Sequence, residues 1–165
     1  MSKVALDKKA PDFQLTDYCG HPYQLSDFRA KQNLVLIFNR GFTWPFCQAH
    51  MAQLRQDYQE FLNRDAQLVV IGPEDTAAFQ KYFSKHNLPF IGLPDPTNSV
   101  LKRYGQEINL FKLGRMPAQV VVDKNGVARF VHYGHSMADI PPNEELLSVL
   151  DQINQEYQEE EAMPL

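Results

Sequence analysis

The sequence is poor in the features that mark specialised protein classes. Its 165 residues include only two cysteines, Cys19 and Cys47, and one tryptophan. Two cysteines cannot by themselves complete a structural zinc site, and they are too few for the disulfide framework of a small secreted domain. Any cysteine chemistry therefore rests on one or both as thiols. There is no basic excess either. The net charge is −4, and the acidic surplus comes from Glu156, Glu159, Glu160 and Glu161 near the end. The body is balanced, with no cationic stripe of the kind nucleic acids need. The longest apolar run, Leu34 to Phe38, is far too short to span a bilayer. The start, Met1 to Asp7, lacks the apolar core of a secretory signal. The expectation is a cytoplasmic protein with neither a nucleic-acid nor a membrane partner. No glycine-rich phosphate loop is present, and Ser136 lies in no nucleophile elbow. His132 and His135, three apart and joined by no cysteine, make no metal signature. No metal or cofactor is implied.

What is present is ordinary. Apolar residues make up 44% and charged residues 22%, as in soluble globular domains. The length suits a single core, expected over residues 1–155, with residues 156–165 as an acidic tail that begins as a fraying helix.

The patterning along the chain is that of an α/β protein. Phe13–Thr16 and Tyr23–Leu25 alternate apolar with polar around Tyr18-Cys19-Gly20-His21-Pro22, which predicts an N-terminal β-hairpin. Asn33–Asn39 is nearly all apolar, as in a central strand covered on both faces. From Pro45 onward, Cys47, Met51, Leu54, Tyr58 and Phe61 recur at helical spacing, and proline suits the first turn. Gln67–Gly72 predicts a strand, Glu74–His86 a helix, Phe90–Leu93 a short extended piece and Asn98–Tyr104 a short helix. Gln119–Asp123 and Val127–Tyr133 flank Lys124-Asn125-Gly126, a strong hairpin signal. Asn143–Gln155 predicts a closing helix. The order βαβα followed by a hairpin implies a mixed sheet between helical layers.

One residue stands out for chemistry. Cys47 directly follows a buried strand and opens a helix, and ligands of open α/β sheets bind at strand ends. The free N–H groups and positive potential of a helix start favour a thiolate. That effect is worth only about 0.3–1 kcal/mol, too little to ionise a thiol with a pKa of about 8.5 at neutral pH. A cation is needed. The candidates are Arg40 in the preceding loop, Arg115 before the final hairpin, and His50 one turn along the helix. The alternative is that Cys47 is a small core residue on the apolar stripe. Phe42, Trp44 and Phe46 form an aromatic rim that fits either a substrate or plain packing.

The sequence resembles the thioredoxin-fold redoxins of the alkyl hydroperoxide reductase and thiol-specific antioxidant family, which is peroxiredoxin-like. The residues that carry the likeness are Ala10-Pro11-Asp12-Phe13-Gln14-Leu15-Thr16-Asp17 with Gly20 and Leu25-Ser26-Asp27-Phe28, the run Leu34–Cys47, and Met116-Pro117, which is similar to the cis-proline loop. The resemblance implies a thioredoxin-like three-layer α/β/α sandwich. Cys47 falls where such proteins carry a peroxide-reacting cysteine. Trp44 stands where many members have a first cysteine or, in the P-x-x-x-T-x-x-C pattern, the threonine; Thr43 is one place off, and Arg40 stands at the proline. The usual arginine would fall near Pro117, so Arg115 would be a displaced substitute.

The activity implied is reduction of hydroperoxides by a one-cysteine cycle. Cys47, Arg40 and Arg115 would be catalytic, and Thr43, Trp44, Pro45, Phe46, His50, Met116 and Pro117 would contact substrate or partner. The reductant would be an external thiol, glutathione or a thioredoxin-like protein, and a homodimer is compatible with the family. Cys19, in the hairpin turn, is not expected to pair with Cys47. Two other readings stay open: a binding or redox-sensing module that has lost catalysis, and a monothiol–disulfide oxidoreductase.

Overall fold

The computed structural model describes residues 3–106, 108–109 and 114–163, and of 108–109 and 114–115 the backbone only. In chain order the elements are β1 (Gln14–Thr16), β2 (Pro22–Gln24), β3 (Asn33–Phe38), α1 (Pro45–Leu62), β4 (Ala66–Gly72), α2 (Thr76–His86), β5 (Ile91–Pro94), α3 (Ser99–Arg103), β6 (Ile108–Asn109), β7 (Gly114–Arg115), β8 (Ala118–Val122), β9 (Ala128–Tyr133) and α4 (Asn143–Ala162).

β5, β4, β3, β8 and β9 form one sheet in that order. β3 runs parallel to β4 and antiparallel to β8, so the sheet is mixed. β3 is central and every one of its residues is buried. Val35 and Ile37 point to the face covered by α1, α2 and α4, where Met51, Leu54, Phe79, Phe83, Leu146 and Leu150 meet them. Leu34, Leu36 and Phe38 point to the other face and meet Val100 and Leu101 of α3 and Phe13 and Leu25 of the N-terminal segment. A strand coated on both sides needs an unbroken apolar run, and that is why Leu34–Phe38 shows no alternation. The result is the expected α/β/α sandwich with an N-terminal hairpin, in which Gln14 pairs with Gln24.

Some boundaries differ from expectation. α2 starts at Thr76, because the Asp75 side chain accepts the Ala78 N–H at 2.9 Å and caps the helix there. Glu74 is thereby left outside it. α4 continues to Ala162, past the predicted end at Gln155. Arg129 pairs with Glu156, which ties the acidic stretch to the start of β9. The short β6–β7 ladder, Ile108 with Arg115 and Asn109 with Gly114, has no counterpart in the sequence pattern. At Gly92 on β5 a Cβ would fall 2.5 Å from the Phe83 ring, so only glycine lets α2 pack this closely.

Candidate active site

β3 ends at Phe38, and the chain turns through Asn39, Arg40 and Gly41 before entering α1. Gly41 adopts φ +150°, a conformation that side-chain-bearing residues rarely take. Its carbonyl accepts the Trp44 N–H at 3.3 Å and closes the turn. Pro45 is the first helical residue, as the sequence predicts, and Trp44 supplies no side-chain cap. Cys47 sits in this first turn and is 3% exposed.

Three features of the loop act on the Cys47 sulfur. Burial comes first and pushes the thiol pKa up. Against that, the nearby backbone N–H groups of Arg40 and Gly41 and the Arg40 guanidinium favour the thiolate; the Gly41 N–H itself donates to Asn39 Oδ1 at 3.4 Å. Glu74 adds a repulsive charge. The sum is a thiol less acidic than a free one, so at rest Cys47 is held protonated and covered.

Arg40 is itself buried, 5% exposed. Its guanidinium stacks over the Trp44 ring at 4.1 Å from the centroid, a cation–π contact that strengthens when desolvated. Trp44 therefore serves to hold the arginine whose charge favours the thiolate. Burial lowers the Arg40 pKa, partly offset by the facing Cys47, yet an arginine stays cationic across the biological range.

His50 does not supply the second cation that its position one turn along α1 suggested. It is 5% exposed, and burial lowers its pKa to about 4. The ring is neutral at pH 7. Its Nε2 has no hydrogen-bond partner among the described residues. With Phe46, Gln53, Ile140 and Pro141 it lines a hollow of about 230 Å³ on the α4 side of the helix start.

The remaining predicted residues divide. Thr43, Pro45 and Phe46 are exposed on the loop and first turn that carry Cys47, with Phe46 at 49%. Met116 and Pro117 are both buried. Among the described residues no peptide bond is cis, and this includes Met116–Pro117, contrary to the likeness to a cis-proline loop. The Met116 carbonyl is not offered to a docked chain. Gln106 Nε2 donates to it at 3.0 Å and also reaches the carbonyls of Phe38 and Asn39 at 3.3 Å. Gln106 thus ties the start of β8 to the end of β3. Arg115 pairs by its backbone in β7, and its side chain lies outside the described residues. Cys19 is exposed in the hairpin turn, where Asp17 accepts its N–H at 2.8 Å, and both cysteines are free. His132 Nε2 bonds the Asp139 carboxylate at 2.9 Å, and among the described residues there is no cluster suited to a metal.

Two neighbours of Cys47 were missed in the sequence. Glu74 Oε1 accepts the Phe42 N–H at 2.7 Å and so pins the active loop. Burial raises its pKa, opposed by that hydrogen bond. Tyr82 stacks on Phe42 with centroids 4.2 Å apart, and its pKa is raised first by burial, then by the Cys47 and Glu74 charges. A signal for Glu74 does exist. It follows β4 as Arg40 follows β3, and adjacent parallel strands bring their C-terminal loops side by side.

Comparison with known proteins shows the family of the chain. The AhpC/TSA family model matches residues 6–131. The chain belongs to that family. Curated members similar to it include peroxiredoxin Q, chloroplastic, of Arabidopsis thaliana, 33% identical over 133 residues that cover 79% of this chain and 60% of that protein. The rice protein of the same name (Oryza sativa subsp. japonica) is 32% identical over 132 residues, 79% of this chain and 59% of its own length. Peroxiredoxin Bcp of Bacillus subtilis (strain 168) is 26% identical over 132 residues, 74% of this chain and 81% of that one. The chain thus spans about 60% of the length of the plant relatives. Among solved structures, peroxidoxin BcpB from Mycobacterium tuberculosis superposes with a TM-score of 0.79 at 22% identity, covering 91% of this chain and 98% of that one. At such identity the likeness in structure is one of fold, the thioredoxin-like sandwich.

Proposed function

We propose that this AhpC/TSA member is a thiol peroxidase that works through Cys47 alone. The observation that carries the reading is the place of Cys47 in the first turn of α1, directly after the loop that holds the buried Arg40 guanidinium beside it. These groups offset part of the burial that holds Cys47 as a thiol, and they are fixed before reaction begins. The Cys47 thiolate attacks the distal oxygen of a hydroperoxide. The O–O bond breaks, Cys47 becomes a sulfenic acid, and the alkoxide leaves as the alcohol after taking a proton. Arg40 stabilises charge on the sulfur and on the departing oxygen. An external thiol then attacks the sulfenic sulfur, releasing water and leaving a mixed disulfide. A second thiol frees Cys47 and carries away the disulfide. The cycle needs a pool of reduced thiols, and a cytoplasmic location belongs to the same proposal.

A second reading is favoured by a specific observation. Cys47 is 97% buried and its pKa is raised, as suits a covered residue in a binding or redox-sensing module. Intact-mass spectrometry with a sulfenic-acid trap after a brief peroxide pulse separates the two. The peroxidase reading expects one adduct in wild type and in Cys19→Ser, lost in Cys47→Ser. Labelling of Cys47 no faster than of an unfolded thiol sinks it in favour of the module.

A further inference from the structure

The loop that leads to Cys47 is fastened at Phe42, and it is fastened from three sides. The Phe42 N–H donates to Glu74 Oε1 at 2.7 Å. Its carbonyl accepts the Gln48 side-chain amide at 2.8 Å. Its ring lies flat on Tyr82, with centroids 4.2 Å and planes 5° apart, and meets Phe79 edge-on at 4.8 Å. Glu74 reaches further along the same loop. A Cβ on Gly41 would stand 3.5 Å from Glu74 Oε1 and 3.4 Å from the Trp44 ring. The carboxylate thus lies against the backbone that links Arg40 to Phe42.

The hydrogen bond alone does not call for a carboxylate. An amide oxygen of the same reach would accept the Phe42 N–H. The charge at this position carries two costs. Glu74 is half-buried, and burial raises its pKa, opposed by the Phe42 bond and reinforced by Asp75. The charge also opposes the ionisation of Cys47 and of Tyr82. Among the described residues Glu74 has no ion-pair partner, so nothing there cancels that charge. Cys47 therefore stands between two opposite influences, Arg40 before it on the loop and Glu74 beyond the end of β4.

We propose that Glu74 is a positioning residue for Cys47 with two separable actions: its hydrogen bond to Phe42 holds the loop in place, and its negative charge restrains the reaction of Cys47. This rests on the peroxidase reading and names a control on the same thiol. Glu74 acts through the loop backbone and through its field, and the bonds made and broken in the peroxide step are unchanged. The restraint has a chemical use. Oxidation of a cysteine, including the irreversible steps beyond sulfenic acid, follows its thiolate character and exposure. A buried thiol beside a fixed carboxylate ionises sparingly, and Arg40 supports the fraction that does.

Two variants in the full-length Cys19→Ser chain separate the actions. Glu74→Gln keeps an acceptor for the Phe42 N–H and removes the charge; Glu74→Ala removes both. Circular dichroism checks the fold of each. The readouts are the thiolate midpoint by ultraviolet titration, the rates of Cys47 reaction with iodoacetamide and with peroxide, and hydrogen exchange of the Phe42 amide by NMR. In Glu74→Gln the midpoint should fall. Both reactions at pH 7 should run about twofold to threefold faster, because the thiolate fraction grows more than its nucleophilicity declines. The Phe42 amide should exchange as slowly as in wild type. In Glu74→Ala it should exchange about tenfold faster or more, as an amide released from its tie. An unmoved midpoint with unchanged rates in Glu74→Gln overturns the proposal, and so does an unchanged Phe42 exchange in a folded Glu74→Ala. Should Glu74→Ala not fold, Glu74→Gln alone decides. The two reagents keep this idea apart from the peroxidase reading. Faster alkylation of Glu74→Gln without sulfenic acid in any variant overturns the peroxidase cycle and leaves Glu74 in control of the thiol. Sulfenic acid in wild type, with Glu74→Gln no faster toward either reagent, overturns the role of Glu74 alone.

Discussion

The two ends of the sheet handle polar groups in opposite ways. At the end where β3 finishes, the polar side chains are buried. Arg40, His50, Gln106 and Gln119 are each 7% exposed or less, and His50 Nε2 and both polar ends of Gln119 have no hydrogen-bond partner among the described residues. At the end where β3 begins, polar side chains have partners: Asn33 is buried but its Nδ2 donates to Asn154 Oδ1 at 2.8 Å, and the charged groups pair nearer the surface. Arg64 bonds Glu60 and Asp151 at 2.9 and 2.8 Å, and Lys124 bonds Asp65 at 3.1 Å. Exposed pairs of this kind contribute little, whereas buried groups without partners cost stability. Cys47 sits at the costly end. The fold thus gathers unpartnered buried polar atoms at the rim that carries Cys47, while at the other end the polar groups find partners, a distribution that fits a functional site at the first rim.

The contrast can be broken most strongly with pH. In the folded chain His50 takes a proton only below about pH 4, while an unfolded histidine takes one below about 6.5. Between those values the unfolded state holds more protons, so stability rises with pH and is lost as pH falls through the window. Unfolding by urea should show about 3 kcal/mol less stability near pH 4 than near pH 7 from this group. In His50→Gln the loss over the upper part of the window should vanish. Carboxylates held low by their donors, Glu156 by Arg129 and Asp139 by the His135 N–H, act only further down. An unchanged slope in the variant would mean that the imidazole is not buried as described.

A smaller effect comes from Gln119, second residue of β8 and paired with Ile37. Gln119→Met keeps the volume and removes both orphaned polar ends, and it should stabilise the chain by about 1 kcal/mol in urea denaturation. At the other end, Arg64→Ala should cost no more than about 0.5–1 kcal/mol, and less in high salt. If Arg64 proved the more sensitive of the two positions, the contrast between the ends would be reversed.

The layers, the mixed sheet and the helix that carries Cys47 were legible because they follow from periodicity. The apolar run Leu34–Phe38 and the stripe Cys47, Met51, Leu54 and Phe61 are consequences of burial on two faces and on one. Pro45 and Asn125-Gly126 marked a helix start and a turn by local chemistry alone. What could not be read was what side chains do across elements. Glu74 looked like a first-turn helix residue until Asp75 took the cap. His50 looked like a cation because its spacing reveals proximity but not desolvation. Trp44 gave no hint that it stacks on Arg40, since cation–π contact depends on the turn at Gly41. Gln106 reaches Met116 from ten residues away, a contact no pattern encodes.

The central claim is that Arg40 and the two loop N–H groups oppose burial at the Cys47 sulfur. Ultraviolet titration of the thiolate in a Cys19→Ser background, with Arg40→Met beside it, tests this directly. The account predicts a midpoint above that of an ordinary thiol, and a further rise once the guanidinium is removed. A midpoint that stays where it is in Arg40→Met would contradict it.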